Sequence, residues 1–364
     1  MINIAAPVID SEERRAVNEV IESGMLAQGP KVAELEKNWA EYCGVKHALA
    51  VNSGTAAIHC ALYAAGVKEG DEVITTPYSF IATINPILML GARPVLVDID
   101  EETFNIDVSK IEAAITEKTK AIVPVDLYGQ PCDWAELQEI AKKHNLKIVE
   151  DACQAVGAEY KGIKAGALGD FGCFSLYATK NIMCGEGGIV TTNSDEAAAA
   201  IRSFRQHGMV APYEYADLGY NYRMSDLHGA IAVEQLKKIE EFTKKRQENA
   251  RKLNDALAGV VGIKTPTISD NRNHVYHQYT ILLDKDMQRD QFIATLRDKG
   301  VGAGIYYPKP LHIYPHIAKL GYKVGDFPVA EDLAARVVSL PVHPKVTDED
   351  IEVIAAAVKE SING

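Results

Sequence analysis

The chain has 364 residues, 47% of them hydrophobic and 24% charged, and a formal net charge of −12. That composition belongs to a folded protein with a sizeable core, and the length to a large domain followed by a smaller one. The acidic balance argues against a nucleic-acid surface, which needs clustered Lys and Arg; the basic stretch from Lys237-Lys238 to Lys244-Lys245-Arg246 is interleaved with Glu240 and Glu241 and reads as a solvated helix face.

In chain order, Ser11–Ser23 reads as a helix with Ser11 as its N-cap and acids in its first turn. Residues 30–42 read as a second helix, with Pro30 at the first position, where its missing N–H costs nothing. An alternation then begins. His47–Val51 is a buried strand, 55–65 a helix, Glu72–Thr75 a strand, 81–90 a helix, 94–98 a strand and 109–115 a helix. Residues 121–125 are a strand, Trp134–His144 a helix and 147–150 a short apolar strand. Strands that are continuous apolar runs separated by helices imply a largely parallel sheet covered on both faces.

After Asp151 the spacing tightens to strands at 171–176 and Gly188–Thr192, which are expected to enter the same sheet, one of them antiparallel. Residues 225–258 form a long charged helical stretch with Ile231, Val233, Leu236, Ile239, Phe242 and Leu253 at roughly helical spacing. A strand at 276–283, a helix at 288–299 and a final helix after Asp348 complete the chain. The expected organisation is a large α/β domain at 1–240 and a smaller C-terminal α+β domain at 241–364, with no internal repeat.

The six cysteines (Cys43, Cys60, Cys132, Cys153, Cys173, Cys184) form no C-x-x-C pair, and several lie in apolar runs where free thiols pack as small hydrophobes, which suggests a reducing compartment. The N-terminus has neither a basic nor an apolar leader pattern, and no apolar run approaches membrane-spanning length, so the expectation is a soluble, cytoplasmic protein.

Three segments carry chemistry. Asn52-Ser53-Gly54-Thr55-Ala56-Ala57 lies between a strand and a helix, where Gly54 permits a tight turn and the helix start offers free N–H groups with a positive dipole end. It can cradle a phosphate; an ordinary capped turn is the other reading. Glu150-Asp151-Ala152-Cys153-Gln154 places an acid at the C-terminal end of a strand, facing the crevice where open α/β sheets bind ligands. Asp151 there can pair with a protonated ring nitrogen of a bound pyridinium, or simply cap a helix. Lys180 follows the strand that carries Ser175 and precedes Gly185-Glu186-Gly187-Gly188, so it can approach a cofactor carbonyl, form a Schiff base and shuttle protons. Alone, such a lysine would be a surface charge.

Together with Glu72-Val73-Ile74-Thr75-Thr76-Pro77, Asp98-Ile99-Asp100 and Gly219-Tyr220-Asn221-Tyr222-Arg223-Met224, these segments resemble the DegT/DnrJ/EryC1/StrS nucleotide-sugar aminotransferases. That family is aspartate-aminotransferase-like, of fold type I. The resemblance spans nearly the whole chain and implies a mostly parallel seven-stranded sheet and pyridoxal 5'-phosphate as cofactor. It further implies that Lys180 is the Schiff-base lysine, Asp151 the partner of the pyridine nitrogen, and Gln154 the partner of the ring hydroxyl. Gly54, Thr55 and Ser175 would hold the phosphate, and Phe80 would stack on the ring or, on the plainer reading, pack in the core. Asn221 would reach the neighbouring subunit's cofactor, which implies a homodimer with shared sites; a simple turn residue is the alternative.

Many members of the family carry His where this chain has Asp126. Tyr306, His312 and Arg223 are the expected substrate-side residues. No metal site is expected: His312 and His316 have ligand-like spacing, but Pro315 precedes the second and no acid is expected to partner them, while His274 and His277 on one strand would face opposite sides. The reading is a transaminase that passes an amine from a donor, by resemblance glutamate, to a keto group of a nucleotide-linked sugar. A sugar dehydratase of the same family, in which histidine replaces the lysine, and a non-catalytic cofactor-binding regulator are the alternatives.

Overall fold

A computed structural model describes residues 1–363. Asp10, not Ser11, caps the first helix, α1 (Ser11–Ser23): its carboxylate accepts the Glu12 N–H at 3.1 Å, and Glu13 in turn accepts the Asp10 N–H at 3.0 Å. This reciprocal pairing satisfies backbone donors at the helix start that Ser11, already inside the first turn, cannot reach. The next helix, α2 (Pro30–Cys43), is capped from a distant part of the chain. The buried Asp226 carboxylate accepts from the N–H groups of Gly29 (2.7 Å), Lys31 (3.1 Å) and Val32 (3.0 Å).

The alternation follows with β1 (His47–Val51), α3 (Gly54–Ala64) and β2 (Glu72–Thr75). The helix expected at 81–90 is instead a 3-10 turn, Ile81–Thr83, and a short helix, α4 (Asn85–Met89), because Pro86 has no N–H to give to the preceding turn. After β3 (Arg93–Leu96), the helix expected at 109–115 is two 3-10 turns, Val108–Lys110 and Glu112–Ala114. Then come β4 (Thr119–Val123), α5 (Trp134–His144), β5 (Lys147–Asp151), β6 (Phe171–Ser175) and β7 (Gly188–Thr192). The helix α6 (Asp195–Phe204) was not anticipated. Its signals are nevertheless local: Ser194 caps it, two acids open it, and Ala197, Ala198, Ile201 and Phe204 bury one face.

These strands form a seven-stranded sheet in the order β1-β7-β6-β5-β4-β2-β3. β7 is antiparallel to both its neighbours, and the pairs from β6 to β3 are parallel. Alternate residues of each strand serve opposite faces. Leu49, Val51, Val73, Val149 and Val190 pack beneath α3 and α6, while Ile74, Ile122 and Ile148 meet Trp134 and Leu137 of α5. Near β1 that second face is covered by α2, where Trp39 lies edge-on to Phe174 with ring centroids 5.2 Å apart.

The helical stretch expected over 225–258 breaks at Lys237-Lys238 into α7 (Asp226–Leu236) and α8 (Ile239–Leu257). Lys238 is tied there by ion pairs to Asp10 and Glu13. Ile239 and Phe242 of α8 belong to the core around Trp39, whereas Ala250, Leu253 and Leu257 enter a second core. That core holds a three-stranded sheet, β8 (Ile263–Lys264), β9 (Tyr279–Leu283) and β10 (Val337–Leu340), all antiparallel. It also takes in α9 (Arg289–Asp298) and α11 (Asp348–Asn363), while α10 (Pro328–Arg336) sits over a third cluster that joins Leu311, Ile317 and Leu333 to Tyr78, Ile84 and Tyr128. β9 starts three residues later than expected, and the helix–strand pair at 328–340 went unread in the sequence. Among the described residues no helix is long and apolar enough to cross a membrane.

Asp226 therefore staples α2 to α7 through three N–H groups, each a donor to a charged acceptor. Asp226→Ala is expected to cost about 2–4 kcal/mol, from the lost bonds and the N–H groups left unpaired. Denaturant unfolding checks this; a loss below about 0.5 kcal/mol would mean that water replaces the carboxylate without penalty.

Candidate active site

The C-terminal ends of β1, β5 and β6 open onto a cavity of about 460 Å³ whose lining includes Gly54, Thr55, Asp151, Ser175 and Lys180. Phe80, Gln154 and Tyr306 line it as well. A larger depression of about 1070 Å³ lies at the opposite strand ends beside Lys68, Lys147, Asp170 and Asn193. It is open and has no comparable constellation; Lys147 and Asp170 in it simply pair with each other at 2.9 Å.

One end of the cavity is an anion cradle. Ser53 caps α3, its hydroxyl accepting the Ala56 N–H at 3.1 Å, and its carbonyl accepts the Ala57 N–H at 3.0 Å. The N–H groups of Gly54 and Thr55 are thus left at the mouth of the helix. The backbone here is packed too tightly for side chains. A Cβ on Gly54 would lie 2.8 Å from the Ser175 Cβ, and one on Gly188 would lie 2.3 Å from the Ser53 carbonyl oxygen.

At the other end Asp151 is 4% exposed. One of its oxygens accepts from the Thr83 hydroxyl at 2.7 Å and the other from the Cys153 N–H at 3.2 Å. Gln154 is held on both sides: its carbonyl accepts the Tyr128 N–H at 2.9 Å, and its amide donates to the Tyr307 hydroxyl at 3.0 Å. Phe80 is 55% exposed, with its ring 6.0 Å from that of Tyr307. Lys180 lines the same cavity. Burial pulls its amine below the usual lysine range, opposed by the neighbouring Cys153 and Asp151, so more of it is neutral and nucleophilic than in an exposed lysine.

Asn221 is exposed, Arg223 is half-buried beside Val51, and neither lines this cavity. His312 is wholly buried against Phe327 and pairs with Glu331 at 2.9 Å, so an acid does partner it, one that sequence spacing did not reveal. His274 and His277 lie before β9 rather than within it, and both are buried. His277 lines the cavity. Asn181 donates its amide to the Val275 carbonyl at 3.1 Å, which turns its own oxygen to His277 Nδ1 at 3.2 Å. Nδ1 therefore carries the proton and Nε2 is left as an acceptor. Burial, and then the charges of Lys180 and Arg246, hold this imidazole well below its ordinary range and so neutral. Thr83 and His277 are among the lining residues that sequence reasoning had not placed in the site.

A hydroxyl- and amide-bound carboxylate, a cradle of free N–H groups and a depressed lysine in one cavity fit a phosphorylated pyridine aldehyde. The comparisons agree. Residues 7–359 match the model of the DegT/DnrJ/EryC1/StrS aminotransferase family, and the chain belongs to that family. It is 40% identical to GDP-perosamine synthase of Caulobacter vibrioides, over 99% of this chain and 98% of that one. The structure of DesV from S. venezuelae in complex with a ketimine intermediate superposes with a TM-score of 0.93 at 35% identity, covering 96% of this chain and 94% of the other. Helicobacter pylori PseC, an aminotransferase involved in the biosynthesis of pseudoaminic acid, gives 0.94 at 32% identity, covering 100% and 99%. The fold is that of the fold-type I pyridoxal-phosphate transferases, and the chain is a pyridoxal-phosphate-dependent sugar aminotransferase.

Behind the site, Glu150 faces the opposite side of β5 from Asp151. Both its oxygens accept the Gly166 N–H, each at 2.9 Å, and its carboxyl adjoins that of Asp126, whose second oxygen has no other partner. One oxygen of Asp126 accepts from the Cys132 N–H at 2.9 Å and the Trp134 indole N–H at 3.3 Å, so a shared proton on Glu150 supplies a donor for the other. Burial pushes both carboxyls upward, Glu150 the further, with the nearby Asp126 charge adding to its rise. Above the unfolded glutamate value of 4.5 the unfolded chain releases a proton that the folded chain keeps, so this pair makes stability fall as pH rises. Glu150→Gln supplies the same donor without titrating and is expected to flatten that decline between about pH 5 and pH 8. Denaturant midpoints across the range check it; parallel curves for wild type and variant would refute the shared proton.

Proposed function

We propose that this chain transfers an amino group, with glutamate as donor, to the keto group of a nucleotide-linked sugar, and that it does so as a homodimer with shared sites. The nucleotide-linked acceptor rests on the similarity to GDP-perosamine synthase, whose name carries the nucleotide. The observation that carries the reading is that Lys180, Asp151 and the Gly54–Thr55 cradle, far apart in the chain, line one cavity.

Pyridoxal phosphate, when bound, supplies an aldehyde that carries the amino group and a ring that takes up an electron pair from the substrate carbon. Gly54, Thr55 and Ser175 would hold its phosphate, Asp151 its ring nitrogen, Gln154 its ring hydroxyl and Phe80 a ring face. Lys180 would hold its aldehyde carbon. Once freed, the Lys180 amine is the group placed to take a proton from the substrate carbon and return it, and its depressed basicity keeps it available as a base. Asp151, fixed by two donors, would favour a protonated ring nitrogen. Gln154, clamped between Tyr128 and Tyr307, must keep its amide toward the ring and Tyr307.

The dimer is supported by what this chain leaves open. Lys180 is the only lysine or arginine lining the cavity among the described residues, whereas glutamate brings two carboxylates. Asn221 and Arg223 lie just outside, on a segment beside Val51 and Asn52, and Met25, Leu26, Val210, Tyr213, Tyr215 and Leu218 expose apolar surface. A second copy seated on that surface would bring Asn221 to the neighbouring phosphate and Arg223 to the substrate side, with Tyr306 lining the cavity and His312 anchoring its own segment from beneath.

The reading is tested by incubating the holoenzyme with labelled glutamate and a panel of nucleotide-linked keto-sugars, with products identified by mass and proton spectra. Turnover of a keto-sugar is expected. Failure of every sugar beside good turnover of a free amino-acid and keto-acid pair would contradict it. Lys180→Ala is expected to lose multiple-turnover transfer by roughly 10²- to 10⁴-fold or more while still binding pyridoxamine phosphate; retained turnover would remove Lys180 from its role.

A further inference from the structure

The short segment that presents Phe80 to the cavity also carries two buried hydroxyls. Ser79 is 2% and Thr83 1% exposed, and their oxygens lie 2.8 Å apart. Thr83 has a single hydroxyl proton, and the carboxylate of Asp151, 2.7 Å away, accepts it. The Ser79–Thr83 contact must therefore run from Ser79 as donor to Thr83 as acceptor, a relay that ends on Asp151. The 3-10 turn Ile81–Thr83 fixes the backbone, with the Thr83 N–H donating to the Phe80 carbonyl at 3.0 Å, and β-branching restricts the Thr83 rotamer.

We infer that Thr83, oriented by Ser79, is a positioning residue that aims the Asp151 carboxylate at the cofactor's ring nitrogen. The inference rests on the reading of Asp151 given above and goes beyond it. The Cys153 N–H holds one oxygen, and without Thr83 the other could turn about that anchor. Water is poorly placed to substitute, since Asp151 and both hydroxyl residues are buried. The spacing also couples two functions in one turn: Phe80 would cover a face of the ring, while Thr83, three residues on, holds the carboxylate that would meet the ring nitrogen.

The test compares pyridoxamine phosphate with its analogue in which carbon replaces the ring nitrogen, titrated by calorimetry into the cofactor-free protein. The two ligands differ at the ring nitrogen, and their intrinsic differences in hydration and charge are common to wild type and variant, so the change in the ratio of dissociation constants between the two proteins reads the bond to Asp151. The wild type is expected to prefer the nitrogen ligand. Thr83→Val should cut that preference roughly fivefold or more, the size of a lost hydrogen bond to a charged group, and leave the affinity for the carbon analogue unchanged. Thr83→Ser should restore the preference, and Ser79→Ala should reduce it partially. If Thr83→Val does not fold, Thr83→Ala takes its place. Equal weakening of both ligands, or no change in either, overturns the inference. A wild type that binds both ligands equally overturns the Asp151 assignment itself, a different result from a Thr83 variant that keeps the wild-type preference.

Discussion

Gly188 holds the site together. It is the first residue of the single antiparallel strand in the large sheet, and it pairs across one edge with Val51 and across the other with Ser175. Two otherwise separate parallel strand ends are thereby placed at a fixed spacing. The turn after Val51 carries the Ser53–Thr55 cradle, and the chain after Ser175 leads to Lys180. Contact is close enough that the Ser53 carbonyl occupies the volume a side chain on Gly188 would need. The glycine run after Lys180 is thus less a flexible hinge than the means by which backbone packs against backbone, so that an anion cradle and an amine share one cavity.

The strand β5 separates charge across the sheet in a similarly economical way. Successive residues Glu150 and Asp151 point to opposite faces and have opposite partners. Asp151 faces the cavity with a hydroxyl and an N–H directed at it. Glu150 faces the packed side and keeps a proton between itself and Asp126. This chain pairs two carboxyls there, and the proton that such a pair requires prevents two buried negative charges from lying behind the site.

Much of this was legible in the sequence, and the reasons are local. His47–Val51, Glu72–Thr75, Gly188–Thr192 and Trp134–His144 were read with their observed ends because apolar runs there stop at Asn, Gly, Pro or charged residues. The places that misled are those where one residue overrides a pattern. Pro86 splits an apolar run, and Asp10 outcompetes Ser11 as a cap. Gly54, Thr55, Asp151, Gln154, Ser175 and Lys180 stand in recognisable motifs and line one cavity. Thr83 stands 68 residues from the carboxylate it supports, and His277 owes its place to Asn181, 96 residues away. Bonds of that range leave no trace in spacing. Asn221 and Arg223 lie outside this chain's cavity, where their proposed partner is a surface that one chain does not contain.

The central claim is that Lys180 is the amine that meets the cofactor aldehyde. Its most direct test is borohydride reduction of the pyridoxal-phosphate-loaded protein, followed by digestion and mass spectrometry of the peptides. A phosphopyridoxyl group on the peptide containing Lys180, absent when Lys180 is replaced by alanine, is the expected result. A stoichiometric label on any other lysine, or one unchanged by that replacement, would contradict the account.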